Sequence, residues 1–126
     1  MMLLKSLVFS CLAATTLASI TCDAGDSIKK SDVQSCIDYL NDIADDDCVS
    51  DTPDADEGIR YKQFVHAGTA AIQGTNENFT PKEVARCGDI AAAAQAILDS
   101  CDGDTLNYGT NNGAVKHIGV SISAPE

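Results

Sequence analysis

Two histidines, His66 and His117, six cysteines and 19 acidic residues are the groups in this 126-residue chain whose types could do chemistry. A histidine pair can cleave a phosphodiester, one ring acting as base and the other as acid, as a secreted ribonuclease would use them. Cysteine and histidine could together hold zinc, but the chain has no closely spaced Cys-Cys or His-His pair of the kind zinc sites use. Asp54-Ala55-Asp56-Glu57-Gly58 opens like a calcium loop, yet its fifth position is glycine and no Glu closes it. Asp102-Gly103-Asp104 fails in the same way, with Leu106 at the fifth position. No phosphate-binding loop, dinucleotide fingerprint, zincin helix or nucleophile elbow is present. The reading is therefore of a chain with no catalytic residue, no metal site and no cofactor.

The cysteines point to a different chemistry. Residues 1–18 carry an early Lys5, an apolar run from Leu7 to Ala14, and small residues at Thr16 and Ala18. That is the order of a secretory signal, with cleavage expected after Ala18. Its removal leaves 108 residues, 19–126, as one domain, and takes the net charge from −11 to −12. Cys11 leaves with it, so that Cys22, Cys36, Cys48, Cys87 and Cys101 enter an oxidising compartment where disulfides form. Asn78-Phe79-Thr80 is a glycosylation sequon, although Pro81 follows it directly and Thr80 is also suited to cap a helix.

The elements that must position these groups can be read from period and capping. Ser31-Asp32-Val33-Gln34 forms a capping box. Behind it Val33, Cys36, Ile37, Leu40, Ile43 and Ala44 fall within about 120° of a helix surface, giving a first helix over 32–45. Thr80-Pro81-Lys82-Glu83 predicts a second helix start, with Val84, Cys87, Ile90, Ala91, Ala94, Ile97, Leu98 and Cys101 inward and an end near Ser100. Strands are expected over 59–67, slipping in alternation near Gln63-Phe64, over 69–73, and over 114–123 with Ile118, Val120 and Ile122 on one face. Asn112-Gly113 is a hairpin turn signal with 105–109 as the other arm, and 19–23 can open the sheet. The order strand, helix, strand, strand, helix, strand predicts an α+β two-layer sandwich of split β-α-β type (βαββαβ), its antiparallel sheet covered on one face by both helices. An acidic connection over 45–58 is expected to be mobile.

Cys87 and Cys101 lie 14 residues apart on one helix, about 21 Å, too far to bridge. With the two helices taken as parallel, Cys36 lies beside Cys87 and Cys48 beside Cys101. This predicts the disulfides Cys36–Cys87 and Cys48–Cys101, with Cys22 left as a free or interchain thiol; the competing arrangement brings Cys22 into one of the pairs. In the ferredoxin-like strand order, His66 and His117 would stand on opposite edges about 14 Å apart, which argues against a shared phosphodiester.

Charge excludes further classes. A pI near 4.2 is wrong for neutralising nucleic-acid phosphates or an anionic membrane. No segment reaches the roughly 18 apolar residues of a membrane span.

The leader, a mature domain near 100 residues, Cys36 in helix one, an alanine-rich helix holding Cys87 and ending at Cys101, and a Gly/Asn turn into Ile118–Ile122 together resemble one group. These are the small secreted fungal effectors built like the smut killer toxin, with its α/β-sandwich; the necrosis-inducing extracellular effectors are a more distant likeness. The resemblance implies secretion, a disulfide-stapled domain, and virulence or competition through contact with a host or competitor protein. It implies no catalysis, no nucleic acid and no membrane after the signal is removed, with a monomer or a dimer through Cys22 as the assembly. A secreted ribonuclease and a protein binding cell-wall polymer or a small ligand are the alternatives.

Overall fold

The computed structural model describes residues 19–50, 61–77 and 82–126. The expected leader, the Asn78 sequon and the acidic residues 51–58 lie outside them. Among the described residues the chain is α+β, with two helices, a five-stranded antiparallel sheet and a two-stranded sheet. Its elements are β1 (Ser19–Lys29), α1 (Lys30–Asp42), β2 (Asp47–Ser50), β3 (Tyr61–Ala67), β4 (Ala70–Asn76), β5 (Glu83–Arg86), α2 (Cys87–Ser100), β6 (Thr105–Val115) and β7 (Ile118–Ser123). The large sheet runs β1-β6-β7-β4-β3, and β2 pairs with β5. Among the described residues seven strands replace the four of the simple βαββαβ layout, and β1 and β3 are the edges of the five-stranded sheet.

Helix faces follow the apolar period. Val33, Cys36, Ile37 and Leu40 of α1, and Cys87, Ile90, Ala91, Ala94, Ile97 and Leu98 of α2, are buried against one side of the sheet. Ile72, Ile118, Val120 and Ile122 face them and are fully buried. Isoleucine, valine and alanine supply most of this core, so close approach of the layers compensates for the scarcity of aromatic rings.

The helix starts differ from expectation. Glu83–Arg86, expected inside the second helix, forms β5 against Asp47–Ser50, and α2 begins only at Cys87. The first free amides of α2 are satisfied by the segment that follows α1: Cys87 donates to the Asp46 carbonyl and Gly88 to that of Ala44. Residues 45–50 of the expected mobile connection are thereby partly strand. The Asn112-Gly113 turn is also displaced. Strand β6 continues through both residues, its pairing with β7 slips between Asn111 and Val115, and the chain reverses at Lys116-His117. His117 takes the left-handed conformation there, at φ 64°. The slip expected near Phe64 is present, between Gln63 and Val65.

The Ser31 capping box does not form. No side chain of its own segment caps α1, and the cap comes instead from the β3–β4 turn. Thr69 Oγ1 accepts from the Lys29 amide at 2.9 Å and donates to Asp32 Oδ2 at 2.6 Å, while the Thr69 amide donates to the same carboxylate at 2.8 Å. Gly68 is required beside it. It has φ +53°, and a Cβ there would stand 2.5 Å from Asp32 Oδ2.

The Thr69 hydroxyl and then its amide hold the Asp32 carboxyl below the usual carboxylate range. A carboxylate depressed in the folded state stabilises the fold at pH values above its unfolded pKa, and that contribution fades as pH falls through the lowered folded value. Thr69→Val should therefore move the acid-unfolding midpoint upward and flatten stability over the acid range below about pH 4. Circular dichroism against pH checks it, and an unchanged midpoint would show that the Thr69 hydroxyl contributes nothing.

Candidate functional site

The two helices run antiparallel, and this decides the cysteine chemistry. Gly88, at the start of α2, meets Ala44, just past the end of α1. At the other end Lys30 Nζ donates to the carbonyls of Leu98 and Cys101. Lys30 thus caps the C-terminal end of α2, where a cation is favoured by the helix dipole. The β3–β4 hairpin lies between the helices in sequence, and the helices on either side of it point in opposite directions, not in parallel as expected.

The expected disulfides Cys36–Cys87 and Cys48–Cys101 are accordingly replaced by Cys22–Cys101 and Cys48–Cys87. Cys87, at the start of α2, meets the segment that follows α1. Cys101, at its end, meets β1. Cys22, expected to be the odd thiol, is bonded within the chain; among the described residues the free cysteine is Cys36, fully buried, its Sγ 3.8 Å from the Ala70 carbonyl. Burial first, and then the Asp32 carboxylate one turn away, push its thiol up to about 11, against the lowering effect of an Ala67 backbone hydrogen bond.

The histidines are not brought together. His66 pairs with Ala71 at one end of β4, whereas His117 precedes Ile118, which pairs with Asn76 at the other end. Five residues along the strand place them about 17 Å apart before the strand spacings are added. No His/Cys/Asp/Glu group among the described residues is arranged to hold a metal ion. No helix among them is long and apolar enough to cross a membrane.

What the fold does assemble is the sheet face turned away from the helices. Paired residues share a face, so register identifies it. One row holds Thr21, Thr110, Ser121, Gln73 and Gln63; those beside it hold Thr75 opposite Gly119 and Tyr61, and Tyr108 opposite Asp23. In a chain of charge −11 this face is made almost wholly of hydroxyl, amide and tyrosine groups. A groove of about 190 Å³ runs across it between Tyr61 and Tyr108, with Glu77 at its margin and Ser121 among its lining residues. Tyr61 is 51% exposed, whereas Ser121 is 3% exposed and its Oγ has no hydrogen-bond partner. Gly119 helps to create the groove: a Cβ there would lie 2.7 Å from Asn112 Oδ1 and 2.9 Å from Glu77 Oε2. Where the chain leaves β7, the Glu126 amide donates to Gln63 Oε1.

Sequence reasoning missed Tyr61, Tyr108, Thr110 and Ser121 as a site. The alternation that put Ile118, Val120 and Ile122 inward also put Gly119 and Ser121 outward. Which strands lie beside them, and hence which tyrosines flank the groove, depends on the strand order.

A family model described as "Domain of unknown function (DUF8794)" matches residues 17–124. No curated protein matches the chain.

Proposed function

The chain belongs to the DUF8794 family, and we propose that it is a secreted, effector- or toxin-like binding module that acts by protein–protein contact through the open sheet face, without catalysis. The observation that carries this reading is the tyrosine-flanked groove, lined by the hydroxyl and amide side chains of Thr75, Thr110 and Asn112 with Glu77 as its one charged group. Interface centres are depleted in charge and enriched in tyrosine. Export fits the two disulfides, which persist in oxidising compartments, and a family match that leaves residues 1–16 outside it. The killer-toxin-like α/β-sandwich remains the architectural comparison, in a form with both helices on one side of an antiparallel sheet. The partner is a host or competitor surface protein.

Secreted protein should begin at Ser19 on N-terminal sequencing. Bound to intact host or competitor cells, it should be retained at least tenfold better than a Thr75→Arg/Thr110→Arg variant, which places two large cations on the face without touching the core. Protease treatment of the cells should abolish retention, and equal binding of the variant would overturn the reading. The density of hydroxyl and amide groups favours a second ligand class, a neutral wall polymer. That reading predicts protease-resistant retention on insoluble chitin or glucan. The ribonuclease alternative predicts RNA cleavage lost in His66→Ala and His117→Ala, whereas the separation of the two rings predicts background rates for all three proteins.

A further inference from the structure

The groove on the open face holds two accessible oxygens that the fold leaves without a donor. Glu77 follows β4, Asn112 stands in the slipped stretch of β6, and both line the groove. They converge on Gly119, where a Cβ would lie 2.7 Å from Asn112 Oδ1 and 2.9 Å from Glu77 Oε2. Those two distances put the oxygens no more than about 5.6 Å apart, over a position that carries no side chain. Both residues are exposed, and among the described residues neither oxygen has a hydrogen bond or an ion pair.

An amide oxygen and a carboxylate oxygen are both acceptors, so side by side they repel until a donor stands between them. A donor that carries positive charge gains most. Glu77 is the one charged group lining the groove, and the chain as a whole carries −11. A guanidinium suits the arrangement better than an ammonium. Its planar fork presents several N–H groups at once, and its face stacks on aromatic rings. Tyr61 offers such a ring, 51% exposed and in the same row of the sheet as Thr75 and Gly119.

We propose that the groove receives an arginine side chain of the partner, its guanidinium donating to Glu77 Oε2 and Asn112 Oδ1 above Gly119. This rests on the open face being the surface that meets the partner, and it names that partner's chemistry: a protein surface with a protruding arginine. Gly119 makes the room, because a side chain there would take the place of the guanidinium. The threonine hydroxyls of Thr75 and Thr110 leave the rest of the groove uncharged, so a carboxylate in the partner finds no counterpart in it.

The test titrates the secreted chain with a blocked Ala-Arg-Ala tripeptide and with its citrulline counterpart, which keeps the shape and loses the charge. Amide chemical shifts report binding. The arginine peptide should bind saturably at low-millimolar concentration, moving the Gly119 amide and the Asn112 side-chain amide, and the citrulline peptide at least fivefold more weakly. Glu77→Gln should weaken the arginine peptide at least fivefold with the circular dichroism spectrum unchanged. Gly119→Ala, which alters no charge, should do the same by filling the space between the two oxygens. Equal binding of the two peptides, or full affinity in both variants, would overturn the proposal. On intact cells Glu77→Gln should lower retention at least threefold. If Thr75→Arg/Thr110→Arg loses retention and Glu77→Gln does not, the arginine assignment falls while the open face stands as the binding surface. If the peptides are distinguished but neither variant loses retention, the groove still selects arginine, and the reading of the face as the partner surface falls instead.

Discussion

Replacing Cys22 and Cys101 by alanine should remove about 4.5 kcal/mol of stability. That is the chain-entropy value for a loop closed over a separation of 79 residues. The second disulfide, over a separation of 39, is worth about 4 kcal/mol on the same basis. Domains of this size are stable by roughly 5–15 kcal/mol, so either loss takes the chain close to unfolding. The light core makes the dependence sharper, because alanine and isoleucine replace the rings that elsewhere bury 150–250 Å² each. Urea denaturation of the double variants measures the effect. Cys36→Ala is the decisive comparison. With the pairing Cys36–Cys87 it would break a crosslink, whereas with the observed pairing it removes one buried sulfur and should cost only about 1 kcal/mol. A loss for Cys36→Ala as large as that for Cys22→Ala would refute the pairing, and non-reducing peptide mapping should recover Cys22 joined to Cys101.

The second large effect is the silence of the remaining thiol. Raising the Cys36 thiol to about 11 lowers its thiolate fraction near neutrality about 100-fold. The residue is also fully buried, so a reagent reaches it only when the chain opens. The native protein should therefore show no titratable thiol on mixing with an aromatic disulfide reagent, and one per chain in denaturant once residues 1–18 are removed. A chain that keeps Cys11 should show two in denaturant, which makes the measurement a check on signal cleavage as well. Rapid labelling of the native protein would contradict the buried placement of Cys36. Because Cys22 is bonded within the chain, mature protein should run as a monomer on non-reducing gels; a disulfide-linked dimer would contradict the Cys22–Cys101 bond.

How far the sequence carried can be judged element by element. The apolar face of α1, including Cys36, and that of α2 from Cys87 to Leu98 are legible in the chain, as is the inward set Ile118, Val120 and Ile122. Each is a local period of 3.6 or 2, which side-chain direction alone dictates. Helix boundaries were less secure. Thr80-Pro81 has the chemistry of a helix start, yet Glu83–Arg86 instead pairs with Asp47–Ser50, and no pattern within either segment specifies the other. The capping box at Ser31 was outcompeted by Thr69, which supplies both hydroxyl and amide from across the hairpin. The hairpin turn moved from Asn112-Gly113 to Lys116-His117 because the strand absorbs the Asn-Gly pair within its slipped stretch.

By itself, then, the sequence determined the inward residues of both helices and of the last strand, except Val84, which was read as inward and stands exposed in β5, and that the cysteines are suited to crosslinks more than to zinc. The direction of the helices was decided only in three dimensions. Across the β3–β4 hairpin α2 runs antiparallel to α1, an arrangement that joins Cys22 to Cys101 and Cys48 to Cys87 and leaves Cys36 alone in the core. The same strand order places Tyr61, Ser121 and Tyr108 around one groove, although they come from three separate strands. Periodicity is a property of neighbouring residues, whereas pairing and register depend on how distant segments share one core. The candidate binding face is a product of the second and could not be read from the first.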